Sequence, residues 1–306
     1  MDISVVIPTL NREQVLLDTI GHLMNQTHKP REILVVDQTP QHESATNRTL
    51  EEWTQSGLIT WIRLSRPSIP AAMNAGLLAS QCAIVLFIDD DVIPEPDLLK
   101  VHGDTHRTTD AAAVVGRIVQ PWDTERARPD AQVSGKDDPD QFQFNSTVPG
   151  WTTRVMAGNL SVKKRYAISA GGFDENFKGA AYRFEAEFAE RLVQRGWKIR
   201  YQPQAYLEHL KSERGGTRTF GLHYSTVLPY HSVGAYYYLI SVKTVKNRLG
   251  KIPLRLLNSV LTRNHLKKPW AIPMTIIAEV SGLVWATWLS RAGPKLLDAD
   301  LKEQSG

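Results

Sequence analysis

The chain has 306 residues, 42% hydrophobic and 22% charged, with a single cysteine, Cys82, and a net charge of +4. That composition excludes a disordered, fibrous or disulfide-stapled protein, and one cysteine leaves no internal disulfide, in keeping with a reducing cytosol. The length suits one large α/β domain with an appendage, or two domains. The charge is uneven: Lys211–Gly306 carries 14 Lys/Arg against 5 Asp/Glu, so the remainder is net negative, and no acidic residue lies between Arg214 and Ala278. A basic C-terminal third suits nucleic acid, an anionic membrane or an anionic substrate, and charge alone does not choose.

The N-terminus, Met1-Asp2-Ile3-Ser4, lacks a basic region and its apolar run stops at Pro8, too short for a signal peptide; it reads as a first strand. Val15, Leu16, Ile20, Leu23 and Met24 follow at helical spacing. Ile33–Val36 is a second buried strand ended by Asp37, and a polar helix is expected over Glu43–Gln55. Leu58–Leu64 reads as a strand, Pro70–Ala79 as a short helix, and Ala83–Ile88 as the most apolar strand, ended by Asp89-Asp90-Asp91. A helix over Pro94–His106 and a strand over Ala111–Val119 come next. Nearly all-apolar strands alternating with helices predict an α/β fold, a mostly parallel sheet covered on both faces.

Asp123–Pro149 is polar, proline-bearing and without period, and reads as a surface excursion. A short basic helix is expected around Lys163–Ala167, and a clear one over Phe184–Gln194, ended by Gly196. Lys198–Tyr201 and Ala205–Leu207 read as two short strands. Beyond Gly215-Gly216 the texture changes, and helices are expected over Leu228–Leu249, Pro253–Arg263 and Pro269–Ser290. The expected organisation is therefore a ligand-binding domain over 1–215 and a basic helical extension over 216–306.

Sheets of this kind bind ligands at the carboxyl ends of their strands. Those ends are Pro8-Thr9-Leu10-Asn11, Asp37-Gln38-Thr39, the loop after Leu64, and Asp89-Asp90-Asp91. Three adjacent carboxylates repel one another unless a cation sits among them, and extended backbone turns Asp89 and Asp91 the same way. Two carboxylates completed by substrate phosphates are a usual way to hold Mg²⁺, and Mn²⁺ suits the same oxygen-rich site. The competing reading is a solvated acidic turn capping the next helix.

Val5-Val6-Ile7-Pro8-Thr9-Leu10-Asn11-Arg12, Ile33-Leu34-Val35-Val36-Asp37, Ala72-Met73-Asn74-Ala75-Gly76 and Phe87-Ile88-Asp89-Asp90-Asp91 occur in that order. Ala157-Gly158-Asn159, Gly171-Gly172-Phe173-Asp174-Glu175, Glu185–Leu192, Tyr201-Gln202-Pro203 and His209 follow. In this order they resemble the family 2 glycosyltransferases of the A-type fold, over about the first 210 residues.

The resemblance implies that Pro8, Thr9 and Asn11 line a nucleotide base and ribose, and that Asp37 accepts a hydrogen bond from a uracil ring. It puts Asn74 near phosphate or ribose, Asp89 at ribose or metal, Asp90 beside them, Asp91 on the metal, and His209 on metal or diphosphate. It further implies single-step inversion with a carboxylate as base, a UDP- or dTDP-sugar donor and a divalent cation. The acceptor would be a saccharide or a lipid-linked molecule in cell-surface polysaccharide or glycolipid synthesis.

The base candidates are Glu185 and Glu187. Arg191 stands four residues after Glu187, a pairing that explains that carboxylate as helix support, whereas Glu185 has Ala189 at that spacing. The family usually shows Glu-Asp where this chain shows Phe184-Glu185, and a basic residue is common where Met73 stands. Lys211–Arg218, with Gly215 and Gly216, reads either as a lid carrying Arg214 and Arg218 to a diphosphate or as an exposed basic loop. Trp151 reads as an acceptor-stacking ring or as core.

The C-terminal helices, with eight Lys/Arg between Lys243 and Lys268 beside Tyr236-Tyr237-Tyr238, suit attachment to an anionic membrane surface, ordinary packing, or spanning by Trp270–Leu289. The location expected is cytoplasmic, peripheral on the inner face of the membrane if these helices attach. No nucleic-acid-binding module is recognisable. A phosphatase would want its Asp-x-Asp after the first strand, and a nucleotidyltransferase a Gly-rich loop near the N-terminus. A non-catalytic sugar-nucleotide-binding protein of the same fold is the remaining rival.

Overall fold

The computed structural model describes residues 1–123, 144–221, 223–224, 226–242 and 248–298. Most of the excursion expected over 123–149, and the basic run 243–247, lie outside the described residues.

The first half builds strands and helices in turn: β1 (Ile3–Thr9), α1 (Gln14–Met24), β2 (Glu32–Asp37), α2 (Ser44–Gln55), β3 (Thr60–Arg63), α3 (Ile69–Ala79) and β4 (Ile84–Ile88). β1 pairs in parallel with β2 on one side and β4 on the other, and β3 extends the sheet beyond β2. Alternation along β1 decides the layering. Val5 and Ile7 turn to one apolar cluster with Leu16 and Ile20 of α1, while Val6 turns to the other with Met73 and Leu77 of α3. All five residues of β4 are buried because helices cover both faces.

The second half follows as β5 (Val92–Pro94), α4 (Leu98–Thr108), β6 (Ala113–Val119), β7 (Gly150–Thr152), β8 (Asn159–Lys163), α5 (Lys164–Ser169), α6 (Phe184–Gln194) and β9 (Ile199–His209). The sheet order is β3-β2-β1-β4-β8-β6-β9-β5, with β7 against β9. β8 runs antiparallel between β4 and β6.

Three elements differ from the sequence expectation. The helix expected from Pro94 begins at Leu98, because Val92–Pro94 finds a partner in β9, and proline is tolerated in such an edge strand. The two strands expected over 198–207 are one strand, its pairing with β6 broken by a register shift opposite Gly116 and Arg117. β8 carries polar Asn159 and Ser161 in its buried interior. They are satisfied by His102, whose Nδ1 lies 2.8 Å from Ser161 Oγ and whose Nε2 lies 2.8 Å from Asn159 Oδ1. Burial pushes the His102 imidazole down to about 4, so the ring stays neutral in this network.

The C-terminal residues form α7 (Val233–Ser241), α8 (Arg248–Val260), α9 (Arg263–Lys267) and α10 (Ile272–Ala292). Val233, Tyr236 and Tyr237 of α7 and Ala286 and Leu289 of α10 join the same apolar cluster as Phe87, Phe173 and Phe188. The buried Tyr237 hydroxyl donates to Asp174 at 2.7 Å, so the helices are tied to the sheet layer by polar as well as apolar contacts.

Gly116 sits at the β6–β9 register shift, where an added Cβ would lie 2.2 Å from both the Ala205 carbonyl oxygen and Asn159 Nδ2. Gly116→Ala is expected to cost about 2 kcal/mol or more by forcing the two strands apart, read as a lower urea midpoint with an unchanged slope.

Candidate active site

Because β1 and β4 are neighbours in the sheet, their carboxyl ends put Thr9 beside the three aspartates. The Thr9 hydroxyl donates to Asp90 Oδ2 at 2.7 Å. Arg12, buried just beyond β1, donates from Nε to Asp90 Oδ1 at 3.0 Å and from Nη2 to Asp91 Oδ2 at 3.0 Å. Burial pushes the Asp90 carboxyl up to about 7, against the pull of the Arg12 guanidinium. Arg12 Nη1 donates to the carbonyls of Arg214 and Ser212, and the Ser212 amide donates to Asp91 Oδ2 at 2.8 Å.

The segment after β9 is thereby docked onto the β1 end. Gly216 N donates to the Leu10 carbonyl at 2.8 Å. Gly215, at φ +79°, comes so close that a Cβ there would lie 2.3 Å from the Asn11 carbonyl oxygen. His209, ending β9, brings Nε2 within 3.3 Å of Asp89 Oδ2 and 3.4 Å of Asp91 Oδ1. Among the described residues no three His, Cys, Asp or Glu side chains already surround a common point as metal ligands do. Asp89, Asp91 and His209 converge without closing.

These groups open on a cavity of about 590 Å³, whose wall includes Thr9, Asp89, Glu185, His209, Lys211 and Arg218. Glu185 lies in the first turn of α6, half-buried, and accepts from the Ala157 amide through Oε1 at 2.5 Å. Next along the chain, a Cβ on Gly158 would lie 2.4 Å from Asp89 Oδ2, so the Ala157-Gly158 turn binds Glu185 and lies against Asp89. Burial, against the Ala157 bond and with the nearby charge of Asp89 added, pushes the Glu185 carboxyl up to about 7. Glu187 is turned by about 200° around the helix. It is buried in a two-oxygen pair with Arg191, at 2.5 and 2.8 Å, and does not face the cavity.

Pro8 and Arg218 line the cavity, and Arg218 also donates to the Lys211 carbonyl at 2.8 Å. Asn11, left-handed at φ 53°, lies at the edge with its amide bonded to Thr39.

Four expected residues are placed elsewhere. Asp37 is buried, taking Nε2 of His42 at 2.8 Å, Nε1 of Trp61 at 2.9 Å and the Thr39 amide at 2.8 Å. Burial opposes its charge, but those bonds hold the carboxyl below its usual range. Asn74 is locked on Phe173, donating to its carbonyl and accepting from its amide, each at 2.8 Å. Trp151 is on β7, between the cations of Lys198 and Arg200, away from the cavity. Arg214 contributes its carbonyl, while its side chain is exposed outside the cavity wall.

Sequence reasoning gave no role of their own to Arg12 or Tyr182, and Lys211 entered only as the start of the basic stretch. The signal available for Arg12 was a cation three residues past the end of β1 in a chain whose other strand end carries three acids. Tyr182, at the rim, offers a half-exposed ring beside the Arg183 guanidinium at 5.0 Å. Ala181 and Arg183, on either side of it, are both left-handed, at φ 52° and 78°. Non-glycine residues take that conformation at a cost, and such residues cluster at ligand sites.

A mixed sheet, parallel through β3-β2-β1-β4 and covered by helices on both faces, is consistent with the A-type glycosyltransferase fold. The sequence model of the family described as glycosyl transferase family 2 matches residues 4–170, so the chain belongs to that family and is a glycosyltransferase. No curated protein is matched in sequence.

Among solved structures, the chain is similar to mannosyltransferase PcManGT from Pyrobaculum calidifontis, in complex with GDP-Man and Mn²⁺. There the identity is 18% and the TM-score 0.55, over 95% of this chain and 79% of that one. It is similar to S. aureus TarS 1-349 in complex with UDP-GlcNAc, at 17% identity and TM-score 0.55, over 92% and 73%. It also resembles GalNAc-T7 with UDP, GalNAc and Mn²⁺, at 15% identity and TM-score 0.57, over 78% of this chain but half of that one. At these identities the likeness is one of fold.

Arg12→Met removes the cation from two buried aspartates. It is expected to destabilise the protein by about 3–5 kcal/mol in urea unfolding, and to expose the 211–216 segment to cleavage by added trypsin.

Proposed function

We propose that the chain transfers a sugar from a nucleotide-diphosphate donor to an acceptor hydroxyl with inversion, with Glu185 as the base. The observation that carries this reading is the placement of Glu185: alone of the two candidates it faces the cavity, bonded to the turn that lies against Asp89.

The nucleotide would lie along the β1 end, over Pro8 and Thr9, with Lys211 and Arg218 toward its diphosphate. The acceptor would enter past Tyr182, whose ring offers the stacking surface that Trp151 does not. The acceptor oxygen bonds to the anomeric carbon as the bond from that carbon to the diphosphate oxygen breaks. Glu185, with Oε1 held by Ala157, takes the hydroxyl proton on its other oxygen. A carboxyl raised to about 7 is a strong enough base for this near neutrality and is idle below it.

Asp89, Asp91 and His209 would hold a divalent cation. Two carboxylates and one imidazole fit Mn²⁺ well and Mg²⁺ acceptably. Asp91 Oδ2 is already taken by Arg12 and Ser212, which leaves Oδ1 for the ion. The bound cation would spread the charge of the leaving diphosphate. Mn²⁺ accompanies GDP-Man in one of the similar structures and UDP with GalNAc in another, which supports this assignment.

The UDP- or dTDP-sugar expected from Asp37 rests on a carboxylate that already holds three donors, so a donor panel must include GDP-sugars. A saccharide or lipid-linked acceptor of a cell-surface polymer or glycolipid fits a cytoplasmic enzyme at the membrane's inner face.

Calorimetry with nucleotide sugars, with and without Mn²⁺, is expected to show metal-dependent binding of one donor class. Asp91→Ala should abolish that dependence, and unchanged binding would sink the metal assignment. Glu185→Gln should bind donor as the parent does and lose transfer by about 10²–10⁴-fold. The same loss in Glu187→Gln, with Glu185→Gln active, would move the base. In the parent, kcat/KM should rise with pH through about 7 as Glu185 deprotonates, a limb absent from Glu185→Gln. Donor binding without turnover at any pH, over a wide acceptor panel, would instead mark a sugar-nucleotide-binding protein.

A further inference from the structure

Residues 269–292 are long and apolar enough to cross a bilayer by length and composition, with a mean hydropathy of 1.4. The packing is that of a helix lying on its own protein. In the middle of α10, Glu279 is fully buried and takes Nη2 of Arg255 at 3.2 Å and Nε2 of His223 at 3.0 Å. Gly282 meets Ser232 so closely that a Cβ would lie 2.1 Å from its Oγ. After α10 the chain returns to the sheet domain: Lys295 N donates to Asp174 Oδ1 at 2.9 Å, and Leu297 N donates to the Gly171 carbonyl at 2.8 Å. A 21-residue helix is about 30 Å long. Were it to span, Gly293 and the docked residues after it would be carried to the opposite side of the bilayer.

Its outer face is nevertheless apolar. Ile277, Val280, Val284 and Trp288 recur at helical spacing on α10 and are all exposed, Val284 and Trp288 at 65% each. Leu257 of α8, which packs beside α10, and Leu261 just after α8 are exposed too, Leu261 at 69%. Among the described residues of 226–292 the exposed charges are all positive, and the one carboxylate, Glu279, is buried. No acidic residue occurs from Arg214 to Ala278, and Arg263, Lys267, Lys268 and Arg291 are exposed. Trp270 is exposed at the other end of the helix from Trp288, and tryptophan favours the bilayer–water boundary.

We propose that the outer face of α8–α10 is a docking surface for an anionic lipid bilayer. The apolar stripe enters the headgroup boundary, Arg263, Lys267 and Lys268 meet lipid phosphates, and the sheet domain stays in water. Charge complementarity singles out lipid as the occupant: a second copy would set this basic rim against an identical basic rim. The inference is independent of the donor and base assignments.

The test uses the full chain and vesicles of phosphatidylcholine alone or mixed with phosphatidylglycerol, read by flotation and by the Trp emission maximum. Binding to the mixed vesicles is expected at least about tenfold above phosphatidylcholine alone, weakening with salt and accompanied by a blue shift. Arg263→Gln with Lys267→Gln and Lys268→Gln should lower it on the order of 10²-fold. Leu257→Ser with Val284→Ser and Trp288→Ser should abolish the blue shift, with thermal melting of both variants unchanged as the check on folding. The proposal is overturned if the parent does not float with the mixed vesicles, or if both variants bind as the parent does. It is equally overturned if the serine variant turns a dimer into a monomer in sedimentation without changing lipid binding, since a second copy then covers the face.

Discussion

The site depends on one buried cation. Three successive carboxylates follow β4, and two of them, Asp90 and Asp91, are buried where their repulsion is poorly screened. Arg12 meets this with a planar fork that a lysine does not have, one nitrogen on Asp90 and another on Asp91. The same guanidinium spends its third nitrogen on carbonyls of the segment after β9. Neutralisation of the aspartates and closure of the 211–216 segment are thus one event. Since Asp91 presents one oxygen to Arg12 and the other toward His209, the pairing also decides which carboxylate edges are left to face the cavity.

That economy explains the local backbone. For Arg12 to turn back over β4, the chain must reverse immediately after β1, and Asn11 does so in a left-handed conformation that asparagine tolerates better than most residues. Gly215 then fits against the Asn11 carbonyl, where no side chain has room. The glycine pair in the basic stretch invites a reading as a hinge. In the fold it is a contact, made of glycine because two backbones touch.

The alternation of buried strands and helices, the strand ends, and the engagement of Glu187 by Arg191 were legible in the sequence, because each follows from local spacing. The pairing of Glu187 with Arg191 is an i,i+4 rule that holds as read. Features that depend on residues far apart were not legible. Arg12 and Asp90 are 78 positions apart, and nothing local to either names the other. Asn74 looked available because its neighbours form a motif, but it serves Phe173, 99 positions on. β8 was invisible because its Asn159 and Ser161 look like loop residues until His102 of α4 is placed against them. Trp151, a large aromatic in a polar stretch, stands against the cations of Lys198 and Arg200 outside the cavity wall, a contact its sequence neighbours do not announce.

The C-terminal helices looked separable on composition, yet they set the geometry around Glu185. The rim segment that enters α6 is held from beneath by them: Ala180 N donates to the Tyr230 carbonyl at 3.0 Å, and Gly234 of α7 lies against the backbone of Tyr182, where a Cβ would come within 2.6 Å of its carbonyl oxygen. Ala181 and Arg183 keep their left-handed conformations only while that support is in place, because unsupported chain would relax to the β or right-handed regions. Arg183 is also the residue from which α6 starts, and Glu185 stands in its first turn. There the helix dipole favours a carboxylate while burial opposes its charge, and burial prevails, pushing the group up to about 7. The position of Glu185 therefore traces in part to a segment whose sequence gives no sign of touching the cavity, and the helices that turn an apolar, basic face outward hold the cavity rim on their inner side.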